Sequence, residues 1–216
     1  MDAQIWYQMN IKKVAIIDYG MGNLKSIEIS LNYLGIENKL IRNPEHIKKY
    51  SHIILPGVGS FKTAIKNLKS TGMFNALIKI SKEKKKYILG ICLGMHLLFD
   101  SSSEDGFTKG LGIVFGKVEK FSPKKTKNLK IPHVGFNEVL FDKKNIFFKE
   151  ITNASDFYFD HSYRVNKFKE NINPAISNHG DKFLSGFNFG NIYGTQFHPE
   201  KSQSNGLLLL RNFINA

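Results

Sequence analysis

The sequence predicts an α/β fold: an open, mixed but mainly parallel sheet with helices on both faces, extended by antiparallel strands in the second half. Three observations predict it. Up to Phe99, short apolar runs with the pattern of strands buried on both faces alternate with stretches of helical periodicity. Glycine-rich turns follow three of those runs, giving the βαβ rhythm of a parallel sheet. Beyond Phe99 the runs are separated by turn residues alone, as antiparallel strands are.

The elements follow in order. Lys13 to Asp18 contains the buried run Val-Ala-Ile-Ile and leads into the turn Tyr19-Gly-Met-Gly-Asn23. Leu24, Ile27, Leu31 and Leu34 share one helical face, and Gly35 stands where a C′ glycine closes a helix. Ile36 to Ile41 reads as a second strand, and Asn43-Pro44 carries N-cap and N1 chemistry for a short helix. His52 to Leu55 is the third strand and runs into Pro56-Gly57-Val58-Gly59; helical spacing returns through Phe61, Ile65 and Leu68, then Phe74, Leu77 and Ile78. No Gly-Lys-Ser/Thr closes that loop, so it is not a P-loop. Its backbone N–H groups, bare of side chains at the carboxyl edge of the sheet, suit an oxyanion hole. Residues 111–121, 131–141, 157–166 and 183–197 read as strands, and a helix from Gln203 to Ile214 closes the chain.

The chemistry centres on the only cysteine, Cys92. Tyr87, Ile88 and Leu89 form a strand; Leu93, Leu97 and Leu98 recur at helical spacing; between them Gly90-Ile-Cys92-Leu-Gly94 has the glycine spacing of a nucleophile elbow. A residue strained between strand and helix leaves little room on either side, so the positions two before and two after lack a Cβ. The turn presents the sulfur to a helix N-terminus, which favours the thiolate. The plain alternative, a small buried hydrophobe, stands beside this reading. A matching base occurs in Gly194-Thr-Gln-Phe-His198-Pro-Glu200. In extended backbone His198 and Glu200 point to one side, and Pro199 disfavours helix there. An imidazole that moves a proton and a carboxylate that orients it are what a thiol nucleophile requires.

At these residues the chain resembles the triad (type 1) glutamine amidotransferases, whose hallmark segments are similar to Gly-Ile-Cys-Leu-Gly and Gln-Phe-His-Pro-Glu. Asp18-Tyr-Gly-Met-Gly-Asn, Leu55-Pro-Gly-Val-Gly, Ile131-Pro-His-Val-Gly-Phe-Asn, His161-Ser-Tyr and His198-Pro-Glu-Lys-Ser resemble, more narrowly, the glutaminase subunits of imidazole glycerol phosphate synthase. The resemblance runs from Lys13 to Phe213 and implies a flavodoxin-like triad amidotransferase fold. It makes Cys92 the nucleophile, His198 the acid and base, and Glu200 its orienter. It places the oxyanion donors at Leu93 and around Val58 and Gly59, and makes Gly59, His96, Ser162 and Tyr163 candidate contacts to substrate glutamine. It implies a heterodimer with a (β/α)₈ cyclase that receives the ammonia for histidine biosynthesis. Two positions depart from the pattern: His96 replaces the usual glutamine and Phe136 the usual tryptophan. They leave open a paralogue serving a sugar-amidinating synthase, and the elbow alone leaves open a stand-alone cysteine hydrolase.

Composition bounds the rest. The 216 residues, 42% of them hydrophobic, are read as one domain spanning 1–216, with 1–10 a disordered extension and Met9 an alternative start. One cysteine excludes an internal disulfide framework and suits a reducing compartment. The absence of a signal-peptide pattern or a run long enough to span a bilayer predicts a cytoplasmic protein without membrane contact. The formal charge of +13 raises a nucleic-acid-binding module as a rival. The lysines are spread along the chain and not interleaved with stacking aromatics, so no nucleic acid is expected, with part of the excess available to an acidic or phosphorylated partner. His46, His52, His133, His161 and His179 show no metal-ligand spacing, so neither metal nor cofactor is expected. His133 and His161 are placed near the site or partner face, and Lys201 at the partner face.

Overall fold

The computed structural model describes residues 12–126 and 129–216; the expectation for residues 1–10 lies outside the described residues. The first half runs β1 (Val14–Ile17), α1 (Leu24–Tyr33), β2 (Asn38–Ile41), β3 (His52–Leu55), α2 (Phe61–Ser70), α3 (Met73–Ile80), β4 (Tyr87–Ile91) and α4 (Leu93–Leu98). The second half runs β5 (Ser101–Ser102), β6 (Thr108–Lys109), β7 (Gly116–Lys120), β8 (His133–Phe141), β9 (Ser155–His161), β10 (Tyr163–Phe168), β11 (Pro174–Asn178), β12 (Lys182–Phe189), β13 (Ile192–Thr195) and α5 (Gln203–Ile214).

Strand alternation separates two cores. Successive side chains of a strand face opposite ways, so Ala15 and Ile17 enter one hydrophobic cluster and Val14 and Ile16 the other. Phe61, Ile65 and Leu68 of α2 and Met73 and Leu77 of α3 cover the first face. Ile27 and Leu31 of α1 and Leu209, Leu210 and Phe213 of α5 cover the second. Each such side chain contributes roughly 1.5–3 kcal/mol when fully buried. Helices therefore lie on both faces, as expected. Gly72, with φ +77°, divides α2 from α3; α3 buries Met73, Leu77 and Ile80, while Phe74 and Ile78 pack half-buried at its edge.

The main sheet has nine strands in the order β2-β1-β3-β4-β13-β12-β11-β8-β9. β2, β1, β3, β4 and β13 pair in parallel, and the strands from β12 to β9 pair antiparallel. A second sheet holds β10-β7-β5-β6.

Four strand readings change. In 111–121 only Gly116–Lys120 pairs as a strand. The N–H groups of Leu111 and Ile113 instead cap carbonyls at the end of α4, Leu111 to Leu97 at 2.8 Å and Ile113 to Leu98 at 2.9 Å. The run 157–166 belongs to two sheets, because the chain leaves β9 and enters β10 at Ser162. The run 183–197 is the hairpin β12–β13, turned by Gly190 (φ +59°) and Asn191. β11 lies outside the strands expected from the sequence and begins at Pro174, a position where a strand tolerates proline.

Candidate active site

β4 delivers Cys92 to the carboxyl edge of the sheet with φ 52° and ψ −110°, and α4 starts at the next residue. That backbone is costly for a residue with a Cβ, and its neighbours hold it in place. The Cys92 N–H bonds the Thr195 carbonyl at 2.7 Å, and the Cys92 carbonyl accepts from His96 N–H at 3.1 Å. The flanking glycines are required by contact. A Cβ on Gly90 would stand 2.7 Å from the Gly94 carbonyl, and one on Gly94 would stand 1.8 Å from the Leu55 oxygen. A Cβ on Gly57 would come within 2.8 Å of Gly94 N and Leu93 Cβ, so the loop after β3 sits directly on the elbow. Tyr19 clamps it, donating to the Pro56 carbonyl at 2.8 Å; burial and then the charge at Cys92 raise the Tyr19 phenol well above its usual range. At six residues, α4 offers the sulfur little beyond its first-turn N–H groups.

The residues after β13 bring in the imidazole. His198 N–H bonds Tyr158 O at 2.8 Å, and the His198 carbonyl accepts from Ser202 Oγ at 2.6 Å. Pro199–Lys201 form a 3-10 turn with proline at its start, not the extended backbone expected there, and within that turn Nδ1 of His198 lies 2.8 Å from Glu200 Oε1, with both side chains almost fully buried. Glu200 Oε2 has no hydrogen-bond partner among the described residues, so that carboxylate is committed to His198. Burial opposes charge on His198, but the Cys92 charge and hydrogen bond, then the Glu200 hydrogen bond and charge, outweigh it and push the imidazole up to about 10. A ring held by carboxylate at Nδ1 and electrostatically coupled to the sulfur across the same cavity can take and return a proton.

Cys92 and His198 open on a cavity of about 400 Å³. Val58, Gly59, Leu93, His96, Ser162 and Tyr163 also line it, and Glu200 stands behind His198. All nine sequence candidates thus meet at one place. Leu93 N–H, the first of α4, has no intrahelical acceptor and stands beside the sulfur. Gly59 has φ +97°, a backbone open to glycine. His96 reaches the wall, but its Nε2 is taken by Gln196 Oε1 at 2.6 Å, and burial, against that bond, holds it down to about 4.

Sequence reasoning missed Glu104, Asp160 and Gln196. Glu104 lines the cavity while its Oε2 accepts the N–H of Phe61 at 3.0 Å; burial first, then Asp105, raises its carboxyl against that bond. Asp160 O and Gln196 Nε2 each lie 3.8 Å from Cys92 Sγ. His161 also lines the cavity, and burial holds its imidazole well below the usual range. It donates from Nδ1 to Tyr163 O at 2.8 Å, so its Nε2 accepts from His133 Nδ1 at 3.0 Å. Among the described residues no group of three or more His, Cys, Asp or Glu side chains could hold a metal ion.

A sulfur on a strand-to-helix elbow, with imidazole and carboxylate supplied by the segment that follows the adjacent strand, is the arrangement of a thiol-dependent amide hydrolase or transferase. The model of the class-I glutamine amidotransferases matches residues 15–216, and the chain belongs to that family. Among its relatives, imidazole glycerol phosphate synthase subunit HisH 1 of Campylobacter jejuni (strain RM1221) is 46% identical over 201 residues, 93% of this chain and 98% of that protein. Subunit HisH 2 of Methanococcus maripaludis is 46% identical over 202 residues, again 93% of this chain and 98% of that protein. A crystal structure of a glutamine amidotransferase shares the fold, with TM-score 0.72 at 20% identity over 94% of this chain and 99% of that one.

Proposed function

We propose that the chain is the glutaminase subunit of an imidazole glycerol phosphate synthase. It hydrolyses glutamine to glutamate and ammonia and passes the ammonia to a (β/α)₈ cyclase in histidine biosynthesis. The observation that carries the chemistry is the His198 imidazole, bonded to Glu200 and coupled to Cys92 at the mouth of one cavity. Close identity along nearly the full length to HisH subunits supports the choice of synthase.

The steps follow from the groups present. The Cys92 sulfur attacks the side-chain amide carbon of glutamine, and the carbonyl π electrons move to oxygen. Leu93 N–H and an N–H of the Val58–Gly59 loop hold that oxyanion, each donor worth about 3 kcal/mol when near 3 Å. The C–N bond breaks as imidazolium His198 protonates the departing nitrogen, leaving ammonia and a glutamyl thioester. His198 then takes a proton from water, hydroxide adds to the thioester carbon, and the C–S bond breaks to release glutamate. Gly59, Ser162 and Tyr163 hold the amino-acid end, and Glu104 offers a carboxylate to its ammonium.

The enzyme works as a heterodimer in the cytoplasm without a cofactor. The free subunit is nearly inactive because the Pro56–Gly59 loop aims its donor away from the oxyanion, and the partner corrects it. Mixing the chain with a cyclase subunit, glutamine and the phosphoribulosyl formimino carboxamide ribotide tests this. Imidazole glycerol phosphate should form, with glutamine turnover rising at least 100-fold over the free chain. Full turnover by the free chain would instead identify a stand-alone hydrolase, and a partner recruited from sugar modification would identify a paralogue.

A further inference from the structure

We propose that His96 is a positioning residue that holds the Gln196 side-chain amide in the one orientation that points an N–H at the Cys92 sulfur. The inference rests on the reading of Cys92 as nucleophile and deepens it.

The geometry is a two-bond chain. His96 Nε2 lies 2.6 Å from Gln196 Oε1, and Gln196 Nε2 lies 3.8 Å from Cys92 Sγ, within reach of a hydrogen bond to sulfur. An amide oxygen only accepts, so His96 must be the tautomer with its proton on Nε2. Both side chains are buried, His96 at 4% and Gln196 at 0% exposure, so water does not compete for the amide. Burial also keeps the His96 ring neutral, with a single N–H to give.

An amide is nearly symmetric in shape, and its partners alone decide which end faces which way. With His96 donating, the oxygen turns from the sulfur and the N–H turns toward it. A hydrogen bond to the charged form of an acid favours that form, so the chain stabilises thiolate at Cys92. Without His96 the amide is free to turn, and its oxygen lone pairs would oppose the same charge. His96 thus acts at a distance, while Asp160 O at 3.8 Å serves as acceptor for the protonated thiol.

Other titratable groups face this sulfur. His198 lies on the segment after β13, and Tyr19 on the loop after β1; both are electrostatically coupled to Cys92. Glu104, His161 and Tyr163 line the same cavity from other elements. His161 is also coupled to His96 itself, so a shift belongs to the two-bond chain when Gln196→Leu, which keeps His96, shows it too.

The chain has one cysteine, so its alkylation by iodoacetamide reports Cys92 alone. The test follows the alkylation rate against pH in the full-length protein, without glutamine or partner, for wild type, His96→Leu and His96→Gln, with melting curves to confirm folding. The inflection should move up by about one pH unit in His96→Leu and return toward wild type in His96→Gln, which restores a donor on the same side. A coincident inflection in wild type and His96→Leu overturns the proposal. If His96→Leu does not fold, Gln196→Leu should show the same upward shift, and no shift there overturns it equally. Glutamine turnover by Cys92→Ala assembled with the cyclase separates the two readings. Surviving turnover defeats the nucleophile assignment, whereas lost turnover with an unshifted His96→Leu profile defeats the positioning role alone.

Discussion

Burial ordinarily keeps an imidazole neutral, as it does at His96, His133 and His161. His198 goes the other way because the charge at Cys92 and the buried Glu200 carboxylate both favour its protonated form. The direction follows from those causes: burial disfavours the proton, and the charge at Cys92 does most to keep it on the ring. NMR of labelled histidine should find His198 protonated at neutral pH and losing its proton only near pH 10. In Cys92→Ala the midpoint should fall by more than one unit, with Glu200 left as the remaining support. A His198 midpoint that ignores Cys92 would mean the two do not interact. Cys92, His198 and Glu200 were legible in the sequence because their constraints are local: glycines two away on either side, and carboxylate two residues beyond imidazole. Glu104, Asp160 and Gln196 carry no such local mark. Glu104 arrives on a segment paired only to short strands, and Gln196 matters through a histidine 100 positions away.

The elbow is where two elements press on a third. α4 approaches the end of β3 so closely that only hydrogen fits on Gly94, with the Leu55 oxygen 1.8 Å from where a Cβ would be. Gly94→Ala must displace backbone and should prevent folding or cost at least about 3 kcal/mol. Gly35→Ala provides the contrast, since nothing lies within 4 Å of its Cβ position and only its φ of +70° opposes the change; it should cost about 1 kcal/mol. Equal losses in chemical denaturation would show that the close approach of the Leu55 carbonyl does not select Gly94. Helices and buried strands were readable up to α4 because period and punctuation agreed there. The second half was less so. Residues 111–114 are as apolar as a strand, yet their N–H groups finish a helix. The strand-like run from 157 to 166 gives no sign that the backbone changes sheets at Ser162. That crossing places Ser162 and Tyr163 at the cavity, so a site feature arises from a break that periodicity cannot register. The Gly190-Asn191 turn is a two-residue hairpin signal set inside a long β-rich run, whose continuity masks it.

At the scale of the molecule, β13 inserts beside β4 although more than 90 residues separate them. That pairing sets the Thr195 carbonyl on Cys92 N–H and, three residues on, delivers His198. The parallel core was visible in the sequence, but this long-range neighbour was not, since strand order is decided by packing and not by local pattern. The formal charge of +13 supports a prediction at this scale. Association with its synthase partner subunit should weaken little with salt if the excess lysines are solvated surface, and the chain should bind duplex DNA weakly. Tight DNA binding with a steep logarithmic salt slope would favour the basic-module reading. No helix among the described residues is long and apolar enough to cross a membrane. The most direct test of the central claim is made on the assembled complex carrying Cys92→Ala, supplied first with glutamine and then with ammonium. The account predicts that glutamine-dependent product falls by at least 1,000-fold while ammonium-dependent product persists; glutamine-dependent product surviving the loss of this sulfur would contradict it.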